Sequence, residues 1–213
     1  MAVVSLSSCA QNQKKEIPTM ETKSITSDSK SATANSQLDT ATFGAGCFWC
    51  VEAQFQMLDG VIKVESGFSG GHVKNPSYKE VCTGNTGHAE VCQVIFDPQK
   101  ISYEEMLYAF WQTHDPTQLN RQGNDVGTQY RSVIFYHNEK QKQLADQYKK
   151  KLNDEKVYDA PIVTEISPFA AFYRAEDYHK DYYSLNGNEP YCQFVIRPKV
   201  EKFQKVFKGK LKK

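Results

Sequence analysis

Two cysteines three positions apart are the residues of this sequence whose types and spacing most directly suggest chemistry. Cys47 and Cys50 enclose a phenylalanine and a tryptophan and follow a Gly-Ala-Gly run. The apolar pattern changes from strand-like to helix-like here, which predicts that Cys47 lies at a strand-to-helix junction. Free backbone N–H groups and the helix dipole favour the reactive thiolate at such a junction. The spacing also brings the two sulfur atoms within reach of a disulfide.

The spacing alone leaves three interpretations open. A structural zinc ion needs a second close pair of ligands, whereas Cys82 and Cys92 are ten positions apart, so zinc is disfavoured. A thiol–disulfide exchanger fits a CxxC motif at a helix start. The bulky rings of Phe48 and Trp49 are more typical of a pocket for a small hydrophobic group. Unreactive core cysteines are the third interpretation.

Length and charge limit the classes of protein to consider. The chain has 213 residues with 26 basic and 25 acidic side chains, a formal net charge of +1. This length allows one domain with an ordinary core, or two small ones. Balanced charge does not attract polyanions, so we expect no nucleic-acid partner. No apolar run approaches the roughly 18 residues of a membrane-spanning helix.

The N-terminal region has a different composition from the rest of the chain. Every Phe, Tyr and Trp lies at or after Phe43, and about half of residues 22–40 are Ser or Thr. We therefore predict a disordered tether over 10–40. Residues 1–9 end in Leu-Ser-Ser-Cys, which resembles a truncated bacterial lipoprotein signal with Cys9 as the lipidation site. This pattern predicts a location in the bacterial cell envelope or periplasm, with a cytoplasmic protein as the alternative.

After residue 40, strand and helix patterns alternate. Helix signals include a capping box from Ser102 to Glu105 and a helix cap at Asn138. Short β-type runs fall at 41–44, 61–67, 89–96, 131–136, 162–166 and 194–196. We predict one α+β domain over 41–203, an α/β two-layer sandwich with a mixed sheet and flanking helices. A basic tail is expected over 204–213.

Six segments in order carry a family resemblance. Besides GCFWC at 46–50, the chain reads GFSGG, NPSYKEVC, TGHAEVCQVIF, NDVGTQYRS, AEDYHKDYY and PYCQFVIRPK, at 67–71, 75–82, 86–96, 124–132, 175–183 and 190–199. These segments resemble the A-type peptide methionine sulfoxide reductases over about residues 41–203. One departure is Cys92, where the family usually has valine; this change removes nothing that the chemistry needs.

The resemblance implies thiol-dependent reduction of methionine S-sulfoxide, free or in proteins, as repair after oxidative damage. It assigns Cys47 as the nucleophile, which would become a sulfenic acid. Glu90 is the candidate acid, because it shares an apolar strand face that would raise its pKa. Tyr78 and Tyr130 would donate hydrogen bonds to the sulfoxide oxygen.

The resemblance also indicates how substrate is held. Phe48 and Trp49 would enclose the S-methyl group, and Asp125 would orient water or Tyr130. Two roles stay open for His179, a packed structural histidine and a substrate-binding one. No metal, flavin or nicotinamide cofactor is implied, and we expect a monomer.

The resolving thiol is open between two cysteines. Cys192 is favoured, since the family often places a recycling cysteine in this region, which is expected to be mobile. Cys50 is supported by its position one helical turn after Cys47. A relay through both cysteines is also open. Cys82 is expected to be packed. Thioredoxin or a periplasmic thiol donor would reduce the disulfide. A general disulfide oxidoreductase and a non-catalytic lipoprotein that binds exposed methionine are the rival functions.

Overall fold

A computed structural model describes residues 37–213. Cys9, the predicted signal remnant and most of the predicted tether lie outside the described residues. Within the described part, no helix combines the length and apolar character that a membrane span requires.

Eight strands and six helices make up the described chain, with two short 3₁₀ turns and one π-helical turn. The strands are β1 Asp39–Ala45, β2 Val61–Ser69, β3 Ala89–Phe96, β4 Arg121–Gln122, β5 Asp125–Val126, β6 Ser132–Tyr136, β7 Glu165–Pro168 and β8 Tyr173–Arg174. The helices are α1 Phe48–Phe55, α2 Tyr78–Cys82, α3 Tyr103–Thr113, α4 Glu139–Asp154, α5 Tyr182–Leu185 and α6 Arg197–Val206. The 3₁₀ turns are Thr128–Tyr130 and Asp177–His179, and the π-helical turn is Cys192–Ile196.

Six strands form one mixed sheet in the order β7-β6-β1-β3-β2-β8. Only β6 and β7 run parallel, and the other neighbours are antiparallel. The helices α1 and α3 cover one face of this sheet, where Phe43 of β1 packs against Phe55 and Phe110. The α+β prediction is confirmed.

Two helices begin at the capping residues that the sequence predicts. Ser102 and Glu105 form the predicted capping box at the start of α3. Asn138 accepts a hydrogen bond from the Gln141 N–H and caps α4 as predicted. These side chains satisfy backbone N–H groups that lack partners in the first helical turn.

Two predicted strands differ from the structure. The run at 162–166 is displaced, and the strand is Glu165–Pro168. The strand at 194–196 is wrong, because these residues belong to a π-helical turn that continues into α6. Cys192, Ile196 and Val200 recur every four residues and are all buried. Burial of this helical stripe, rather than the local β-type composition, determines the conformation.

Both predicted domain boundaries need correction. The strand β1 begins at Asp39, which pairs with Phe96, so the ordered domain starts two residues before 41. The tail at 204–213 is not a separate segment: Phe207 is buried, and the Asp59 N–H donates to the Lys210 carbonyl at 2.8 Å. Leu211 forms a β-bridge with Leu58. The apolar side chains of the tail therefore complete the core.

Candidate active site

A glycine turn places Cys47 at the N-terminus of α1. Gly46 follows β1 with φ +89°, and Cys47 is the N-cap residue of the helix. A Cβ atom on Gly46 would lie 2.7 Å from Gln122 Cβ, so both the conformation and the space require glycine. The predicted strand-to-helix junction is confirmed.

The environment of the Cys47 thiol opposes ionisation in this state. Its side chain is only 5% exposed, and burial raises its pKa well above the ordinary value. The neighbouring Cys50 raises this pKa further, while a hydrogen bond with the Tyr191 hydroxyl lowers it. The expectation that the helix N-terminus lowers the pKa of this thiol is therefore wrong, because burial has the largest influence on it and raises the pKa.

Glu90 reaches the same helix start from the sheet. It lies on β3 with 1% of its surface exposed, and its Oε2 accepts a hydrogen bond from the Phe48 N–H at 3.0 Å. Burial raises the pKa of this carboxyl well above its ordinary value, and charge on Cys47 raises it further. The strand pattern predicted this direction. A carboxyl group in such a site is a proton donor.

Two phenols border this carboxyl. Burial raises the pKa of Tyr78 and of Tyr130, and the charge of Glu90 adds to both shifts. Tyr78 stacks on Phe48 with ring centroids 6.2 Å apart. Both hydroxyls therefore stay protonated and can donate hydrogen bonds. The structure therefore brings both predicted tyrosines close to Glu90.

The rings of His179 and Tyr182 hold the Trp49 side chain in place beside the thiols. The Trp49 Nε1–H donates to His179 Nδ1 at 3.1 Å, so this nitrogen of the imidazole is unprotonated. Burial lowers the pKa of His179, which keeps the ring neutral. The opposite face of Trp49 stacks on Tyr182 with centroids 3.7 Å apart and planes 7° from parallel. His179 thus orients the tryptophan, as a packed histidine would.

Tyr191 is a site residue that the sequence analysis did not single out. Its hydroxyl donates to Asp125 Oδ2 at 2.9 Å, and it also lies near Cys47, whose pKa it lowers. Asp125 was expected to orient water or Tyr130; the hydroxyl that donates to its carboxylate in the structure belongs to Tyr191. Its position directly before Cys192 was the available signal, and the chain's 12 tyrosines obscured it.

Three cysteines share one apolar cluster. Cys47, Cys50 and Cys192 are buried together with Ile196 and Val200. The segment that carries Cys192 is therefore packed over α1 already. Cys82, which was expected to be packed, is instead exposed at the end of α2.

Comparison with known proteins identifies the family. Residues 39–211 match the family model described as peptide methionine sulfoxide reductase. The chain belongs to this family. It is 55% identical over 175 residues to the MsrA of Saccharolobus solfataricus, covering 82% of this chain and 98% of that relative. The MsrA of Acinetobacter baumannii is 53% identical over 175 residues, covering 82% and 99% respectively.

Solved methionine sulfoxide reductases share the fold. Methionine sulfoxide reductase A of Corynebacterium diphtheriae is 38% identical with a TM-score of 0.63, covering 70% of this chain and 75% of that one. Reduced Mxr1 of Saccharomyces cerevisiae is 33% identical with a TM-score of 0.69, covering 76% and 93%. The resemblance seen in the motifs is therefore confirmed at the level of family and fold.

Proposed function

We propose that this protein reduces methionine S-sulfoxide, free and in proteins, to methionine, with thiols as the source of electrons. One observation carries the proposal: Cys47 and the buried carboxyl of Glu90 meet at the first turn of α1. A sulfur nucleophile beside a protonated acid is the pair that sulfoxide reduction requires. Repair of oxidised proteins is the corresponding role.

The first step forms a bond between sulfur atoms and transfers the sulfoxide oxygen. Cys47 attacks the sulfoxide sulfur while Glu90 protonates the oxygen, and the Tyr78 and Tyr130 hydroxyls stabilise the charge that develops there. The S–O bond of the sulfoxide and the new sulfur–sulfur bond then break as the oxygen passes to Cys47, which leaves a sulfenic acid there and releases methionine as the thioether. The thiol proton of Cys47 returns to Glu90, so no net proton is consumed.

Aromatic side chains account for substrate binding in this proposal. Phe48 and Trp49 form the apolar surface that receives the S-methyl group, and the contacts of Trp49 with His179 and Tyr182 hold its ring in one orientation. Asp125 acts through the Tyr191 hydroxyl that it binds. A fixed arrangement of methyl pocket and proton donor is chiral and accepts one sulfoxide epimer, for which we propose the S form.

A second thiol returns Cys47 to its reduced state. Cys50 or Cys192 displaces the sulfenic oxygen as water and forms a disulfide with Cys47, which is supported by their common cluster. Thioredoxin or a periplasmic thiol donor then reduces this disulfide by exchange.

We also propose that the native protein is exported and acylated at Cys9. The support is the Leu-Ser-Ser-Cys sequence at 6–9 and the Ser/Thr-rich stretch that follows it. The intact mass of the protein purified from its own cells tests this. A diacylated or triacylated Cys9 in a membrane fraction is expected, and an unmodified N-terminus in the cytoplasm would contradict it.

Turnover of separated sulfoxide epimers with dithiothreitol tests the activity itself. We expect methionine from the S epimer and little from the R epimer. A protein disulfide substrate assayed in parallel separates this function from that of a general disulfide oxidoreductase. Rapid disulfide reduction without sulfoxide turnover would contradict the proposal.

A further inference from the structure

A lysine contacts one of the three clustered sulfur atoms. Lys199 Nζ lies 3.5 Å from Cys50 Sγ. The lysine belongs to α6, and its carbonyl accepts a hydrogen bond from Gln54 Nε2 of α1 at 3.2 Å. The contact therefore spans two helices and is held by a second hydrogen bond beside it.

The ammonium group of Lys199 does not form an ion pair in the described part of the chain. None of the ion pairs within residues 37–213 involves Lys199. The lysine also lines a cavity of about 180 Å³, which it shares with the charged side chains of Asp115 and Lys202. The sulfur of Cys50, which is only 2% exposed, is thus its polar partner at hydrogen-bond distance.

The three thiols differ in electrostatic environment. The hydrogen bond from the Cys47 thiol, followed by the charge of Lys199, lowers the pKa of Cys50 despite burial and the charge of Asp125. Burial raises the pKa of Cys47 and of Cys192, and the Glu189 charge raises that of Cys192 further. Of the three, Cys50 is the sulfur whose surroundings favour the thiolate. Once Cys47 has become a sulfenic acid, the thiol that donates to Cys50 is gone, and the adjacent ammonium group of Lys199 is the contact that remains.

We propose that Lys199 is a positioning residue that holds Cys50 as the thiolate which resolves the sulfenic acid on Cys47. This inference rests on the proposed function and specifies its second step. It also reverses the sequence-based preference for Cys192, which then acts only after the Cys47–Cys50 disulfide has formed.

The resolving step balances without an added oxidant. The Cys50 thiolate attacks the Cys47 sulfur, the new S–S bond forms as the S–O bond breaks, and the departing hydroxide takes a proton from Glu90 or solvent to leave as water. The oxidising equivalents come from the sulfoxide reduced in the first step. A thiol in place of the thiolate would attack far more slowly, because the thiolate is the nucleophile.

Single-turnover kinetics without reductant test the inference, in a Cys192→Ser background so that Cys192 cannot compete. Two quantities are followed separately after an acid quench. One is the amount of methionine formed, and the other is the Cys47–Cys50 disulfide, which is mapped by mass spectrometry. With Lys199→Met we expect about one equivalent of methionine, but disulfide formation slower by about three- to fourfold at pH 7 for each unit that the Cys50 pKa rises, since a more basic thiolate is also the better nucleophile. Lys199→Arg should restore most of the rate.

The pH profile distinguishes an electrostatic role from a structural one. Titratable groups that act on Cys50 are Cys47, Asp125, Tyr191 and Lys199 itself. The deficit of Lys199→Met should shrink as pH rises, because the thiol then ionises without the cation. Lys205→Met, on the exposed side of the same helix, is the matched control and should match the parent.

Three results would overturn the inference. The first is disulfide formation at the parental rate in Lys199→Met at pH 7. The second is a rate deficit of Lys199→Met that stays the same at every pH. The third is a failure of Lys199→Arg to restore the rate of disulfide formation. Failure of the parent to form any methionine would instead overturn the proposed function, and this inference with it.

Discussion

The Phe48 N–H donates a hydrogen bond to Glu90 Oε2 across 3.0 Å, and this bond joins the first turn of α1 to the centre of the sheet. The carboxyl group thereby lies near the Cys47 thiol at the helix N-terminus, and no basic side chain of residues 37–213 forms an ion pair with it. Burial keeps it protonated at neutral pH, because burial raises its pKa. The acid and the nucleophile are positioned by the same two elements.

Glu90→Gln should therefore affect the chemistry more than the fold. The amide oxygen still accepts the Phe48 N–H, but the amide cannot act as a proton donor. We expect single-turnover methionine formation to slow by about 10²- to 10⁴-fold, with little change in the unfolding midpoint. Rapid-quench measurement of methionine is the test, and a rate within a few-fold of the parent would assign Glu90 a structural role.

Tyr191→Phe should make Cys47 less reactive. The substitution removes the hydroxyl that can donate to the Cys47 thiolate in place of Asp125 and thereby lowers the pKa of Cys47. The loss of a net hydrogen bond of about 1 kcal/mol corresponds to roughly fivefold slower alkylation at a fixed pH. Iodoacetamide labelling with fragment-ion assignment of Cys47 measures this. Tyr136→Phe, at the end of β6, is the control, and equal labelling in both variants would contradict the assignment.

The effect of substituting His179 should depend on whether the new side chain can accept a hydrogen bond from the Trp49 indole N–H. His179→Leu leaves the indole N–H without its partner, which should lower the free energy of unfolding by about 1–3 kcal/mol and raise KM. His179→Asn places a carbonyl oxygen near the position of Nδ1 and should recover part of both losses. Urea denaturation and steady-state kinetics provide the measurements. Equal behaviour of the two variants would show that this hydrogen bond does not orient the ring.

Glu52 should make stability depend on pH. This residue is 2% exposed on α1, and burial raises its pKa to about 7, while backbone N–H groups of Asp181 and Tyr182 oppose the shift. The folded state binds the proton more tightly than the unfolded state, so this stabilisation is complete below pH 4.5 and is lost as pH rises through about 7. The shift corresponds to about 3 kcal/mol at most.

Glu52→Gln should remove this dependence. The amide oxygen can still accept a backbone N–H, so the variant should be more stable than the parent at pH 8 and similar to it at pH 4.5. Denaturation midpoints at several pH values give the comparison. A parent and variant whose difference stays constant over this pH range would disprove the raised pKa.

The sequence predicted best those features that short segments determine. The capping box of Ser102 and Glu105 and the turn at Gly46 depend on neighbouring residues, and both lie where the pattern indicated. The alternation along β3 likewise predicted that Glu90 faces an apolar environment. The family motifs then identified the group of residues around Cys47 as one site.

Features that depend on distant contacts were missed or wrong. The π-helical turn at Cys192–Ile196 forms because its apolar stripe packs on α1, although its composition resembles a strand. Tyr191 and Lys199 gain significance only when α6 docks against the redox cysteines. The direction of the Cys47 pKa shift was misjudged for the same reason, since desolvation depends on the whole packed structure.

The most direct test of the account is the methionine yield per enzyme from the S-sulfoxide when no reductant is present. The parent should release at least one equivalent of methionine, and the first equivalent should consume two thiols, one of which is Cys47. A folded Cys47→Ser protein should release none, because the hydroxyl cannot form the sulfenic acid. Methionine formation by that folded variant would contradict the assignment of Cys47 as the nucleophile.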